Sequence, residues 1–509
     1  MSRGKIVLMP LDERPCNHDY PRMMPKADFE LVLPPKHLMG QKKTPAPTQA
    51  IAQWLLEQVD TADAMILSLD MLIYGGIVPS RLHHESQQEL LRRASLVRQL
   101  RSRNPRMKLY VFGLIMRCPT YSSGDEEPDY YETCGAQIHQ YGRYAHLDRL
   151  GKLSPQDRAA FAAVKSAIDP AVLEDYTTRR QTNLSVLMHC LSYAADHTVD
   201  YFIVPQDDAA VYGFTSMDQI TVRQYLKTNL LHCKTAMYPS ADDVGMTLLA
   251  RAAAEFYDVR PRVYVHYAST KGASVIPLFE DRAVGETIKY HILAVGGIQV
   301  YSLAEADLLL AVNVGSRMLE VGDPDRVMAY DVERNLAEFI NYIEYALDSG
   351  KDVAVADIAW ANRADTELTG LMAQRGLLLR IQAYAGWNTS SNTIGTALCQ
   401  GILHSLGGDE AGNRSFLLHR YFEDIGFMAY ARGFVTENYL PSLELSYDQT
   451  DGPGGKAAEL VRETVLAYMQ ENYGALASLV QDVSVRMPWS RMFETDIKLQ
   501  LKSCKGAKK

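Results

Sequence analysis

The chain has 509 residues, 47% of them hydrophobic and 22% charged, with a net charge of −9. That length predicts about two to four domains, and the acidic balance excludes an electrostatic grip on nucleic acid or an anionic membrane. Seven cysteines (Cys16, Cys118, Cys134, Cys190, Cys233, Cys399 and Cys504) lack CxxC spacing, which excludes a disulfide framework and a zinc site.

The first residues run straight into Ile6-Val7-Leu8-Met9 without the pattern of a signal peptide. No apolar run approaches the ~20 residues of a membrane span, so a cytoplasmic location is expected. The run is a strand, and it enters Pro10-Leu11-Asp12-Glu13-Arg14-Pro15-Cys16-Asn17. Two prolines predict a fixed loop and not a helix start. Such a loop aims Asp12, Glu13 and Arg14 at a ligand, with Asn17 as a hydrogen-bonding partner; an exposed polar turn is the bland alternative.

Residues 29–33 form a second strand and 48–59 a helix. Residues 64–69 form a strand that ends in Asp70, with Tyr74-Gly75-Gly76 and Pro79-Ser80-Arg81 beyond it. Residues 85–103 read as an amphipathic helix with a solvated basic face. The strand 109–115 ends at Arg117, another candidate for the site. The segment 118–151 carries Tyr121, Tyr130, Tyr131, Tyr141 and Tyr144 with Asp125, Glu126, Glu127 and Asp129. It is expected to be a long binding loop or lid. Helices follow at 155–167 and 171–195, the second placing Arg179 and Asn183 on one face.

The centre of the chain is Tyr201-Phe202-Ile203-Val204-Pro205-Gln206-Asp207-Asp208, followed by Tyr212-Gly213. An apolar strand ends here in two adjacent carboxylates, at the place where α/β sheets and barrels bind ligands. Asp also opens turns and caps helices, so a purely structural role competes. The pattern recurs after the strand 235–237, where Tyr238-Pro239-Ser240-Ala241 leads into Asp242-Asp243. Here Ser240 is a plausible cap for the helix 244–257.

A boundary is expected near 258. Strands then follow at 263–267, 308–312, 353–356 (ending in Asp357) and 378–383, the last running into Tyr384-Ala385-Gly386-Trp387-Asn388-Thr389. Trp387 among Asn and Thr suits a sugar-stacking platform as well as ordinary packing. Helices are expected at 413–431 and 455–480. The alternating Ile497, Leu499 and Leu501 predict a last strand pairing back onto an earlier sheet.

The class is therefore α/β with mostly parallel βα units. Two architectures fit: a (β/α) barrel-like N-terminal domain plus a Rossmann/flavodoxin-like domain, or two Rossmann-like lobes, each with a helical C-terminal region. The expected divisions are 1–258, a catalytic α/β domain; 259–410, a second α/β domain; and 411–509, a helical region with a final strand.

GxxxxGK[ST], GxGxxG after a strand, HExxH and GxSxG are all absent. What stands at the strand ends is Asp, joined by Arg, Asn, Tyr and Trp, the residue set of a sugar site. The motifs Pro10-Leu11-Asp12-Glu13-Arg14-Pro15 with Asn17, Leu69-Asp70 with Tyr74-Gly75-Gly76 and Pro79-Ser80-Arg81, Pro205-Gln206-Asp207-Asp208 with Tyr212-Gly213, and Ala385-Gly386-Trp387-Asn388-Thr389 with Asn392-Thr393 resemble a bacterial family known as a domain of unknown function. A weaker likeness is to substrate-assisted β-N-acetylhexosaminidases, which implies that Asp207 orients an acetamido group and Asp208 is the general acid.

The leading expectation is a glycoside-processing hydrolase with Asp207 and Asp208 catalytic, working without metal or cofactor. Asp12, Glu13, Arg14, Asn17, Asp70, Tyr74, Arg117, Tyr212, Asp242, Asp243, Asp357, Trp387 and Asn388 are expected to bind a small carbohydrate. One alternative is a Mg²⁺- or Mn²⁺-dependent hydrolase or phosphoryl-transfer enzyme, with Asp207, Asp208, Asp242, Asp243 and Asp357 as ligands. The other is a non-catalytic sugar-binding protein.

Overall fold

The computed structural model describes residues 4–320 and 322–502. Cys504 and the C-terminal Lys505, Lys508 and Lys509 lie outside the described residues. The chain forms two compact units. The first comprises residues 1–13, 29–252 and 279–281; the second comprises 14–28, 253–278 and 282–509. Among the described residues no helix is long and apolar enough to cross a membrane.

The first unit holds six strands: β1 (Lys5–Met9), β2 (Glu30–Val32), β3 (Ala64–Ser68), β4 (Lys108–Phe112), β5 (Tyr201–Gln206) and β6 (Thr235–Pro239). They form one parallel sheet in the order β2-β1-β3-β4-β5-β6. A central parallel strand is covered on both faces, so it reads as a continuous apolar run. Ile6 to Met9 and Phe202 to Val204 accordingly show no exposed surface.

The second unit repeats this plan with β7 (Arg262–Tyr267), β8 (Ile298–Val300), β9 (Leu308–Asn313), β10 (Asp352–Asp357) and β11 (Ala383–Ala385). Its parallel sheet runs β8-β7-β9-β10-β11. In both sheets the first strand lies between the second and the third, the arrangement that creates a topological switch point. Both sheets are open, so the chain is built from Rossmann-like α/β lobes and the barrel alternative is set aside. The buried helix Ser390–Ser405 packs on β9, β10 and β11. A Cβ on its Gly401 would stand 3.0 Å from Leu308, so glycine allows this close approach.

Several local expectations are corrected. Pro15 does not prolong a loop: it opens a short helix, Pro15–His18, because proline's fixed φ suits the first helical position. The segment 118–151 is not one long loop. Its second half is the helix Tyr131–Arg149, whose Tyr131 and Ile138 pack against Tyr176 and Phe214. The strand predicted at 378–383 starts only at Ala383; the buried Leu377 and Leu378 lie in the connection before it, outside any strand. The helix predicted at 455–480 ends at Asn472. Residues 480–486 are β12 (Val480–Arg486), which pairs antiparallel with β13 (Asp496–Leu501). The final strand therefore joins a hairpin and neither main sheet.

Candidate active site

In the first unit the chain leaves β3 in a single wide helical turn, Asp70–Tyr74. Gly75 and Gly76 close it at φ +87° and +134°. A side chain at Gly75 would press its Cβ to 2.7 Å from the Ala46 backbone nitrogen, so this turn requires glycine. The next helix, Ile77–Leu82, carries Ser80 and Arg81 inward. The helix Pro170–Ala195 holds it in place: the Asn183 amide donates to the Ser80 carbonyl at 2.8 Å, and Arg179 Nε donates to the His83 carbonyl at 2.8 Å. Arg179 and Asn183 do share a face, and both grip this one segment. Arg180 is also occupied, donating to the Met116 carbonyl at 2.6 Å and pairing with Asp218.

Arg81 is 2% exposed and links three acids. Its guanidinium donates to Asp207 Oδ2 at 2.8 Å, to Glu126 Oε2 at 3.0 Å and to Glu127 Oε1 at 3.3 Å. Arg117, five residues past β4, continues the ladder. Its Nε donates to Glu127 Oε1 at 2.7 Å, and its terminal nitrogens lie 3.1 Å from Glu126 and 3.4 Å from Asp208. Two guanidiniums thus serve four carboxyls. Glu127 is 1% exposed, and its Oε2 has no hydrogen-bond partner among the described residues.

This excess of acid has a titration consequence. Burial raises the pKa values of both Asp207 and Asp208, and the charge of Asp208 raises Asp207 further. Arg81 and Arg117 oppose the rise without cancelling it. The pair therefore holds a proton to higher pH than an ordinary Asp, and the proton belongs to the pair and not to one residue. The side chains are 17% and 24% exposed, so solvent reaches both. Asp208 has a left-handed backbone with φ +46°, a conformation that Asp tolerates better than most residues.

Asp70 lies close by. Burial lifts its carboxyl to about 6, against the Leu114 N–H that it accepts at 3.0 Å and the charge of Arg81. Asp70, Ser80, Arg81, Arg117, Asn183 and Asp207 line a cavity of about 20 Å³, room for one water. Tyr74 belongs to the same lining.

The other predicted residues of the first unit stand elsewhere. Tyr212 turns its ring edge-on to His146 at 5.6 Å. Asp12 is buried just past β1, and Glu13 accepts the Lys42 N–H at 2.7 Å. Asp242 and Asp243 are buried past β6. The Asp243 carboxyl accepts from the Ser240 and Thr247 hydroxyls, the geometry of a helix start.

Arg14, Asn17, Asp357, Trp387 and Asn388 belong to the second unit. Arg14 lies 3.7 Å from Glu494 and stacks over Trp489 at 4.6 Å. Asn17 is buried in the short helix after it. Asp357 sits in a dense network past β10. It accepts Asn313 Nδ2 at 2.8 Å, the Tyr384 hydroxyl at 2.7 Å and the Asp365 N–H at 2.7 Å. Arg334 supplies the counter-charge, donating to Asp365, Asn313 and Glu367. Even so, burial and the neighbouring Asp365 lift Asp357 to about 7. Trp387 meets Tyr20 edge-on at 5.7 Å and donates its indole N–H to Thr396. The Asn388 carbonyl accepts the Asn362 N–H at 3.1 Å.

Arg81, Glu126, Glu127 and Asn183 complete the first-unit cluster and escaped assignment from sequence. The Pro79-Ser80-Arg81 motif was the available signal for Arg81. Among the described residues no three His, Cys, Asp or Glu side chains are grouped as metal ligands.

A family model described as a protein of unknown function, DUF4127, matches residues 6–498. No curated protein and no solved structure matches the chain.

Proposed function

The chain belongs to the DUF4127 family of proteins of unknown function, and from its site we propose a hydrolase that cleaves a glycosidic bond. One observation carries the reading: two adjacent, partly exposed carboxyls past β5 hold a proton to raised pH and are anchored by Arg81 and Arg117. Glycosidic cleavage requires a carboxyl that is still protonated near neutral pH beside a carboxylate that balances the developing positive charge.

Asp208 is more exposed and only 3.4 Å-paired, so it is the group placed to hand a proton to the leaving oxygen. Asp207, held by Arg81 at 2.8 Å, shares that proton as the partner carboxyl, and Arg81 balances its charge when it ionises. On an N-acetylated sugar Asp207 would orient the acetamido group. The bond from anomeric carbon to leaving oxygen breaks and the leaving group takes the proton; water then supplies the new hydroxyl, and its other proton returns to Asp208. The small-molecule partner in this reading is a carbohydrate.

The metal-dependent alternative has less support. Arg81 and Arg117 already occupy the approaches to Asp207 and Asp208, and a guanidinium beside a carboxylate disfavours a cation there. The test is turnover of aryl glycosides, N-acetylhexosaminides included, with and without EDTA. Asp208→Asn is expected to lose at least about 100-fold in turnover, the lower range for a lost general acid, with its unfolding transition unchanged. Undiminished turnover in that variant refutes the assignment. Turnover abolished by EDTA and restored by Mn²⁺ transfers the acids to the metal reading.

A further inference from the structure

We propose that Arg363 and Arg432 of the second unit form a binding site for the oxyanion of a ligand, a carboxylate or phosphate group. The inference stands apart from the Asp207–Asp208 reading and does not depend on it.

The buried arginines of this unit are matched by acids. Arg334 meets Asp365, Arg420 meets Asp424 and Glu423, and Arg14 and Arg491 meet Glu494. Arg363 and Arg432 are half-buried, and among the described residues neither has a carboxylate within 4.0 Å. Arg363 lies in the loop past β10, at the ligand-binding end of an open parallel sheet. Its guanidinium carbon stands 5.6 Å from the Trp360 ring centroid, and its buried Nε has no hydrogen-bond partner.

Arg432 opens the helix Arg432–Asn438. It donates to the Asn362 carbonyl at 2.6 Å and to the Phe493 carbonyl at 3.4 Å, which places it against the loop that carries Arg363. Asn362 itself has φ +59°, and its buried Oδ1 has no partner. The unmatched Asn362 acceptor beside the unmatched Arg363 Nε fits a ligand with a hydroxyl next to its anionic group. The stacked rings of Tyr430 and Tyr468, 4.1 Å apart, adjoin the site, since Tyr468 is within electrostatic reach of Arg363.

The electrostatics agree with the geometry. Burial lowers both arginines and the charge of Arg363 lowers Arg432 further; Asp365 and Asp357 oppose this at Arg363, and Tyr447 and Glu494 at Arg432, without cancelling it. Two desolvated cations beside each other are unfavourable unless an anion joins them. Planar guanidiniums match carboxylate and phosphate oxygens two at a time, which suits them to that role.

The test is calorimetric titration of the full chain with inorganic phosphate and with acetate, at constant ionic strength, for wild type, R363Q, R432Q and R432K. R462Q is the control, since Arg462 pairs with Asp482 on the surface. Saturable binding of at least one anion is expected, weakened about tenfold by R363Q or R432Q, the loss of one charge-assisted hydrogen bond. R432K should lose less, and R462Q nothing. A preference for phosphate over acetate assigns the anion class, as does the reverse. The absence of saturable binding by either anion overturns the proposal, and so does equal affinity in wild type and R363Q. Arg363 Nε bonds to nothing, so R363Q keeps the fold and carries the test even if R432Q does not fold.

Discussion

Replacing Asp243 by Asn tests whether a buried acid past β6 belongs to the fold. Asp243 has no exposed surface, and its carboxyl is bonded by Ser240 and Thr247 at the start of the helix Val244–Phe256. Burial lifts its pKa from 3.8 to about 7. The folded chain therefore keeps a proton that the unfolded chain has released, and stability falls as pH rises through this window. Its contribution is full below pH 3.8 and gone above about 7. From about pH 5 to about pH 8 the loss is about 3 kcal/mol, at about 1.36 kcal/mol for each pH unit up to the folded pKa. Asparagine is neutral throughout, and the two hydroxyls can reorient to bond it. Urea unfolding of wild type and D243N across that range should show curves that diverge by about 3 kcal/mol, with the variant the more stable at the alkaline end. Parallel curves would refute the argument and leave Asp243 ionised in the fold.

Further outcomes follow from the same geometry. Arg334→Gln strips the counter-charge from Asp365 and a bond from Asn313; it should cost about 3–5 kcal/mol in chemical unfolding, and a loss below about 1 kcal/mol would count against the network. Gly75→Ala meets the Ala46 backbone at 2.7 Å with φ +87°; a loss of about 1–3 kcal/mol is expected, and an unchanged denaturation midpoint would contradict the turn. Arg81→Lys cannot span Glu126, Glu127 and Asp207 together. Weakening a charge that lowers both Asp207 and Asp208 should move the alkaline limb of the pH–rate profile upward, whereas an unmoved limb would remove Arg81 from the titrating cluster.

The strands were legible to within a residue or two at Ile6–Met9, Phe202–Val204 and Leu308–Val312, which are buried on both faces, whereas the strand expected at 109–115 ends three residues early, at Phe112. Legibility failed where local pattern is ambiguous. Residues 480–486 alternate in burial as a strand should, but the helix expected at 455–480 reaches their first residue, and no strand is predicted there. Leu377 and Leu378 are buried in the connection before β11, and no periodicity separates such a connection from a short strand. Nor did composition mark residues 14–28 as part of the second unit, since membership there depends on contacts with residues hundreds of positions away, such as Tyr20 with Glu423.

The sequence by itself determined the α/β class and the placing of Asp70, Arg117, Asp207 and Asp208 just past strand ends. A strand buried on both faces must be uninterrupted and apolar, so its polar residues can only follow it. Only the tertiary structure decided which charges meet. Arg81 reaches Asp207 across 126 residues of chain because β3, β4 and β5 are neighbours in the sheet. That adjacency arises from strand order, which leaves no periodic trace in the chain, and it is what turns two scattered arginines and four acids into one titrating cluster.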